Sequence, residues 1–206
     1  MNRGNKMLIS SIVVSLCLLL LNAFQWSIID KITPFIYIPL ITFCWFVFLI
    51  LWIYGFYKGI KRYKLVGFKS FLPSGIMTLF LLLIIFIPFT TLWINFNFSK
   101  FKKERELVVN QIYTQTLLPN VEYNKDLIHL DNSYSLLSMG GNDIFLMKDE
   151  NNTYVLFYTY RGISDNYSGF VHTKNALGIN DFFKNRACSS SRVIKMDRNW
   201  YYISCH

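Results

Sequence analysis

Long apolar runs and short alternating ones divide the chain near its middle. The first run, Met7 to about Ile29, contains fifteen residues from Met7 to Leu21 interrupted only by serines and a cysteine. A second, Phe35–Tyr57, is rich in Ile, Leu, Phe and Trp and carries no charge. A third covers Leu72–Ile94. About 20 residues at 1.5 Å rise cross a hydrocarbon core roughly 30 Å thick, so each run predicts a transmembrane helix. Pro39 and Pro73 fall near helix starts, where a missing N–H costs little. Pro88 lies deeper and predicts a kink in the third span. A cleaved signal peptide is the alternative for the first run, but Leu21-Asn22-Ala23 is a poor small-residue cleavage site and a retained helix is preferred.

Beyond Asn95 the period changes. Phe101, Val108, Ile112 and Gln115 recur at helical spacing over Ser99–Leu118, with Pro119-Asn120 as the stop and Lys103-Glu-Arg-Glu106 as charge pairs on a wet face. Strands are then predicted at Asn142–Lys148 and Thr153–Tyr160 around the polar turn 149–152, at Ser168–His172, and at Arg192–Met196 and Trp200–Ser204 around Asp197-Arg198-Asn199. Apolar and aromatic residues occupy both alternating sets in Thr153–Tyr160, which suits a strand at the centre of a sheet. Asn180–Asn185 reads as a short helix. The fold class expected is therefore a membrane protein: three transmembrane helices (about 7–29, 35–57 and 72–94, within a membrane domain 1–95), then a small α+β domain at 96–206. That domain would combine a juxtamembrane helix with a mainly antiparallel sheet.

Charge sets orientation. Through Asn95 there are eight basic residues against the single acid Asp30; after it, thirteen against eleven, within a net charge of +9 over 206 residues. Most excess positive charge thus flanks apolar runs, and no nucleic-acid footprint gathers on the soluble half. Arg3 and Lys6, with Lys58, Lys61, Arg62, Lys64 and Lys69, put seven basic residues on one side. Lys31 with Lys100, Lys102, Lys103 and Arg105 puts five on the other. The denser side is read as cytoplasmic, which places the C-terminal domain outside a plasma membrane. Heavy use of Ile, Lys, Asn and Phe points to an AT-rich, bacterial genome.

Cys188 and Cys205 are the two cysteines beyond the apolar half, and outside the cytoplasm they are expected to form a disulfide closing the C-terminal hairpin. A turn near Arg198 would set Val193 opposite Ile203, Arg192 opposite Ser204, and Cys205 opposite Ser191.

Candidate chemistry is sparse. The segment Tyr160–Phe170 gathers a cation, an acid, hydroxyls and aromatics between strands, making Arg161, Asp165, Asn166 and Tyr167 a candidate binding loop. The plainer reading is a turn in which Gly162 and Gly169 supply backbone freedom and Arg161 pairs with Asp165. Met139-Gly-Gly-Asn142 lacks the Lys-Ser/Thr of a phosphate loop and reads as a turn before a strand. His129, His172 and His206 have no zinc spacing, and no serine stands in a nucleophile elbow. No catalytic residue, metal ligand or cofactor motif is identified, and charge-free spans argue against an ion-coupled transporter. The function expected is a non-enzymatic, membrane-anchored binding or sensory module. Its partners would be the lipid bilayer and a peptide, protein or cell-wall ligand at the outer face, with no nucleic acid. The alternative is a membrane-anchored hydrolase whose catalytic residues converge only in the fold.

Overall fold

A computed structural model describes residues 3–134, 136–148, 152–162, 166–175, 182 and 191–205. The chain forms two compact units, Met1–Leu92 and Trp93–His206. A long helical region is followed by an antiparallel sheet.

The N-terminal unit contains α1 (Arg3–Ala23), α2 (Gln25–Val66), a 3-10 turn at Gly67–Phe71, and α3 (Leu72–Phe86). Two stretches, Lys6–Ala23 and Gln25–Phe86, are apolar and long enough to cross a membrane by length and composition. Three differences from the expected spans have local causes. Helix α1 ends at Ala23 rather than Ile29, because Phe24 leaves the helical conformation before α2 resumes it. Within α2, Thr33 stands at φ 67°, since the ring of Pro34 disfavours the α conformation in the residue before it. At Pro88 the chain breaks rather than kinks. Ile87 takes extended angles ahead of the proline, and α4 (Phe89–Tyr113) starts afresh.

Helix α1 packs on α2 and α3 around Leu18, Phe48 and Met77. Small residues line the interior, with Ser11, Ser15, Ser74, Gly55 and Gly59 all buried. Trp52 Nε1–H donates to Thr78 Oγ1 (2.9 Å), and the Gln25 amide donates to Thr90 Oγ1 (2.9 Å). Close contact through small side chains plus a few interhelical hydrogen bonds is how helices associate when apolar burial gives little gain.

In the C-terminal unit the sheet runs β1-β2-β3-β4-β6-β5, antiparallel throughout: β1 Leu127–His129, β2 Asp143–Lys148, β3 Thr153–Arg161, β4 Tyr167–Thr173, β5 Ser191–Asp197 and β6 Trp200–Cys205. One face carries Ile144, Leu146, Val155, Phe157, Phe170 and Tyr202 against Ile94, Phe98, Val108 and Ile112 of α4. The other buries Phe145, Tyr154, Leu156, Val171, Tyr201 and Ile203 with Phe182. Strand β3 therefore has both faces covered, as its alternation predicts. Full burial of each such side chain is worth about 1.5–3 kcal/mol.

Helix α4 stops at Tyr113, five residues before the expected end. Gln115 turns left-handed at φ 60°, and the Thr116 N–H reaches back to the Gln111 carbonyl (2.9 Å), a closure that ends helices. The expected helix at 180–185, apart from Phe182, lies outside the described residues.

The glycines of the candidate loop do not have positive φ. A Cβ on Gly169 would lie 2.3 Å from the Phe157 carbonyl oxygen, and one on Gly162 would lie 2.7 Å from the Tyr160 ring. Both are needed for close approach rather than for backbone freedom.

Candidate functional site

A three-residue edge strand and a glycine turn bring an imidazole, a carboxylate and a guanidinium together. Register pairs His129 of β1 directly opposite Asp143 of β2. Directly opposed residues on an antiparallel pair have adjacent side chains. The His129 Nδ1–H donates to Asp143 Oδ1 at 2.8 Å. Arg161, at the end of β3, places Nη1 3.4 Å from Asp143 Oδ2 and 3.2 Å from the Gly140 carbonyl.

The turn that permits this has three successive positive φ values, Gly140 (76°), Gly141 (106°) and Asn142 (62°). A Cβ on Gly140 would come within 2.9 Å of Arg161 Cδ, so only glycine lets the arginine lie along the turn. The guanidinium also covers the Tyr158 ring, 4.8 Å from its centroid. Met139–Asn142 is thus the turn before a strand that its sequence suggests, with Arg161 as its seat.

Asn120 completes the arrangement. Its amide donates to the His129 carbonyl (3.0 Å) and accepts the His129 N–H (2.7 Å), imitating a neighbouring strand on the outer side of β1. This blunts an edge that would otherwise offer free backbone groups. An open depression of about 380 Å³ is lined by Asn120, Val121, Glu122, Tyr123, His129 and Asp143. Tyr123 projects into solvent, 83% exposed.

The sequence-flagged residues divide accordingly. Arg161 joins the cluster, with Asp143 as its partner. Asp165 lies outside the described residues. Asn166 closes the loop, its carbonyl accepting the Gly162 N–H (2.7 Å). Tyr167 is a buried core residue whose ring packs edge-on against Tyr158. Cys188 and His206 also lie outside the described residues, and with Cys188 so does the expected pairing with Cys205. Cys205 is buried at the end of β6, opposite Ser191.

Two residues that composition did not flag stand out. Arg105 is 1% exposed in the core, although its neighbours 103–106 suggested a wet face. Its Nη2 donates to Asn97 Oδ1 (2.6 Å), its Nε and Nη2 reach the Leu137 carbonyl (3.2 and 3.1 Å), and its Cζ lies 4.4 Å from the Phe170 ring centroid. Burial lowers its pKa to about 9, with the nearby Glu104 charge opposing the shift, so it stays a cation at neutral pH. Its position was readable, since 101, 105, 108 and 112 form one helical stripe. The second is His172, packed edge-on against Trp200 and Tyr113. Burial, and then the Lys174 charge, push its imidazole down to about 4.

His129 and Asp143 make two members of a catalytic triad, but none of the residues lining the depression is Ser, Thr or Cys. Ser138, five residues before Asp143, is buried, donating to the Asp143 carbonyl (2.5 Å) and accepting the Tyr158 N–H (2.9 Å). Among the described residues no group of three or more His, Cys, Asp or Glu is placed to hold a metal. Comparison with protein-family models, curated proteins and solved structures finds no match.

Proposed function

We propose that this chain is a multi-pass membrane protein that displays its C-terminal unit outside the cytoplasm as a non-enzymatic binding module. The reading is supported above all by the outward-facing apolar surface of the N-terminal helices, which include Phe35, Phe43, Phe46 and Ile53 at 60% exposure or more. Water does not favour such a surface; a bilayer does. The 62-residue stretch Gln25–Phe86 would be about 90 Å long as one helix, so with its turn at Gly67–Phe71 it supplies two crossings, and α1 the third. Basic residues at the α2–α3 connection put that end in the cytoplasm. Resistance to alkaline carbonate extraction, with a periplasmic-active reporter after His206 and none within Lys61–Lys64, is the expected result. Release into the carbonate supernatant would overturn the membrane reading.

The binding surface proposed is the Asn120–Tyr123, His129, Asp143 and Arg161 cluster, and the ligand a peptide, protein or cell-wall component. Oriented polar groups beside an exposed tyrosine in an open depression suit recognition. A photo-cross-linker replacing Tyr123 should capture an envelope component in cells, and Asp143→Asn should abolish the adduct. The His129–Asp143 pair keeps a hydrolase as the second reading; turnover of esters, peptides or glycans that His129→Gln removes would establish it instead.

An extracytoplasmic domain also favours a Cys188–Cys205 disulfide, supported by Cys205 facing Ser191 three residues beyond Cys188. Thiol labelling of the native chain should then modify neither cysteine until reductant is added. Closure of such a loop stabilises by roughly 3 kcal/mol.

A further inference from the structure

At the end of the bundle where α1 begins and α2 turns into α3, the N-terminal unit holds a pocket of about 220 Å³. Its wall combines three cations, Lys58, Arg62 and Lys69, with the apolar side chains of Met7, Val66 and Leu72. None of the three cations forms an ion pair among the described residues, and Asp30 is the one acid in the sequence before Leu92. The site is therefore positive and uncompensated by its own unit.

The turn that carries Lys69 is pinned. Ser70 Oγ lies 2.7 Å from the Gly67 carbonyl and 3.0 Å from that of Gly59, within donating distance of both. A Cβ on Gly59 would lie 2.6 Å from the Phe71 ring, so glycine is what lets that ring seat on α2, beside Phe56 and Tyr63. Next to the pocket, Leu65 and Phe68 point outward at 85% and 81% exposure. Apolar anchors interleaved with Lys and Arg mark a surface at the boundary between headgroups and acyl chains.

We propose that this pocket binds the phosphate of an anionic phospholipid, with Lys58, Arg62 and Lys69 around the headgroup and Met7, Val66 and Leu72 against the first acyl carbons. A soluble phosphate would use the cations and leave the apolar half of the wall without a purpose. The assignment rests on the membrane reading above, and adds to it a specific lipid class and three residues.

The test uses the full chain in a non-ionic detergent, titrated with phosphatidylglycerol or phosphatidylcholine and read by native mass spectrometry. Phosphatidylglycerol should be retained preferentially. Lys58→Gln and Arg62→Gln should each weaken it by about fivefold, the effect of one basic residue at an anionic surface. Lys61→Gln and Lys64→Gln remove the same charge from exposed positions that do not line the pocket and should leave retention unchanged. Glycerol phosphate, offered as competitor, should not displace the lipid. Equal retention of the two lipids overturns the proposal. So does an equal loss in the Lys61 and Lys64 variants, which indicates diffuse attraction, or displacement by glycerol phosphate, which indicates a soluble-anion site. A chain that resists carbonate extraction yet shows no lipid preference loses this pocket alone, whereas a chain released by carbonate loses the membrane reading itself.

Discussion

The two halves of the chain sort their side chains by opposite rules. In the N-terminal unit Phe35, Phe43 and Phe46 are 67%, 65% and 63% exposed, while the interior is lined by serines and glycines as much as by Leu18, Phe48 and Met77. In the C-terminal unit Val155, Leu156, Phe157, Phe170, Val171 and Ile203 are fully buried, and charged residues lie mostly outside. A bilayer around the N-terminal unit, as proposed above, accounts for the opposite arrangements. Burial of apolar surface drives folding in water, whereas in a bilayer it gives no net gain and close packing of small residues takes over. The polar groups follow suit. The first unit buries uncharged hydroxyls, and the second buries a guanidinium and an imidazole, each held by named partners.

The sharpest way to break this contrast is one substitution made in both halves. Phe46→Lys places a charge at the middle of Phe35–Tyr57, and Leu107→Lys places one on α4, where Leu107 is 57% exposed. In a bilayer the first costs about 2.5–3.5 kcal/mol of insertion free energy. In water the second stays within about 0.5 kcal/mol. Membrane fractionation of the two variants should show Phe46→Lys depleted and Leu107→Lys at the wild-type level. Equal behaviour would mean that both surfaces face the same solvent.

Arg105 tests the other half of the contrast. Arg105→Ala removes a cation over the Phe170 ring and leaves the Asn97 side chain and Leu137 carbonyl short of donors inside the core. A loss of about 3 kcal/mol is expected, which urea unfolding of the C-terminal unit's signal would read as a lowered midpoint. Arg105→Lys keeps the charge without the planar fork and should recover little of it. Full recovery by lysine would mean that charge alone, and not the shared hydrogen bonds, holds the 136–138 segment to α4.

How much of this was legible depends on the range of the determining contact. The β5–β6 hairpin is decided by an adjacent turn, and its pairs Val193 with Ile203, Arg192 with Ser204 and Ser191 with Cys205 follow from the sequence around Arg198. The two-faced composition of β3 likewise marks a central strand. Strand β1 was missed because three residues carry no usable alternation, and with it went the pairing of His129 with Asp143. The candidate loop drew attention to Arg161, but its carboxylate comes from β2, eighteen residues earlier in sequence. Arg105 gives two opposed local signals. Its stripe position points to the core and its charge to the surface, and only the distant Leu137 carbonyl and Phe170 ring decide between them.

A smaller effect is expected at His172. Its folded pKa of about 4 lies below the unfolded value of about 6.5, because burial beside Tyr113 and Trp200, and secondarily Lys174, disfavours the imidazolium. Between those values the unfolded chain takes up a proton that the folded chain refuses, so stability falls as pH drops from about 6.5 to about 4. The full linkage amounts to roughly 3 kcal/mol and is reached only below pH 4, with no loss above pH 7. His172→Gln should flatten that slope in chemical unfolding curves taken across the window. A slope that survives the substitution would place the titration elsewhere.

The smallest stability effect is expected where the C-terminal unit departs from its own sorting rule. Asp143 is nearly buried, yet it is shared between His129, whose side chain is 58% exposed, and Arg161 at 38%. Partly exposed ion pairs contribute about 1 kcal/mol or less, so this cluster does little for the fold. Asp143→Asn is nearly isosteric. Its one amide oxygen can accept from His129 or from Arg161 but not supply a charge to both, and its amide hydrogens then oppose the remaining donor. Stability should move by about 1 kcal/mol at most, while ring orientation at His129 is lost, visible as a changed imidazole resonance. If the arrangement is held for recognition rather than stability, cross-linking from position 123 disappears in the same variant. A large stability loss with cross-linking retained would make Asp143 a structural residue and remove the binding surface proposed around it.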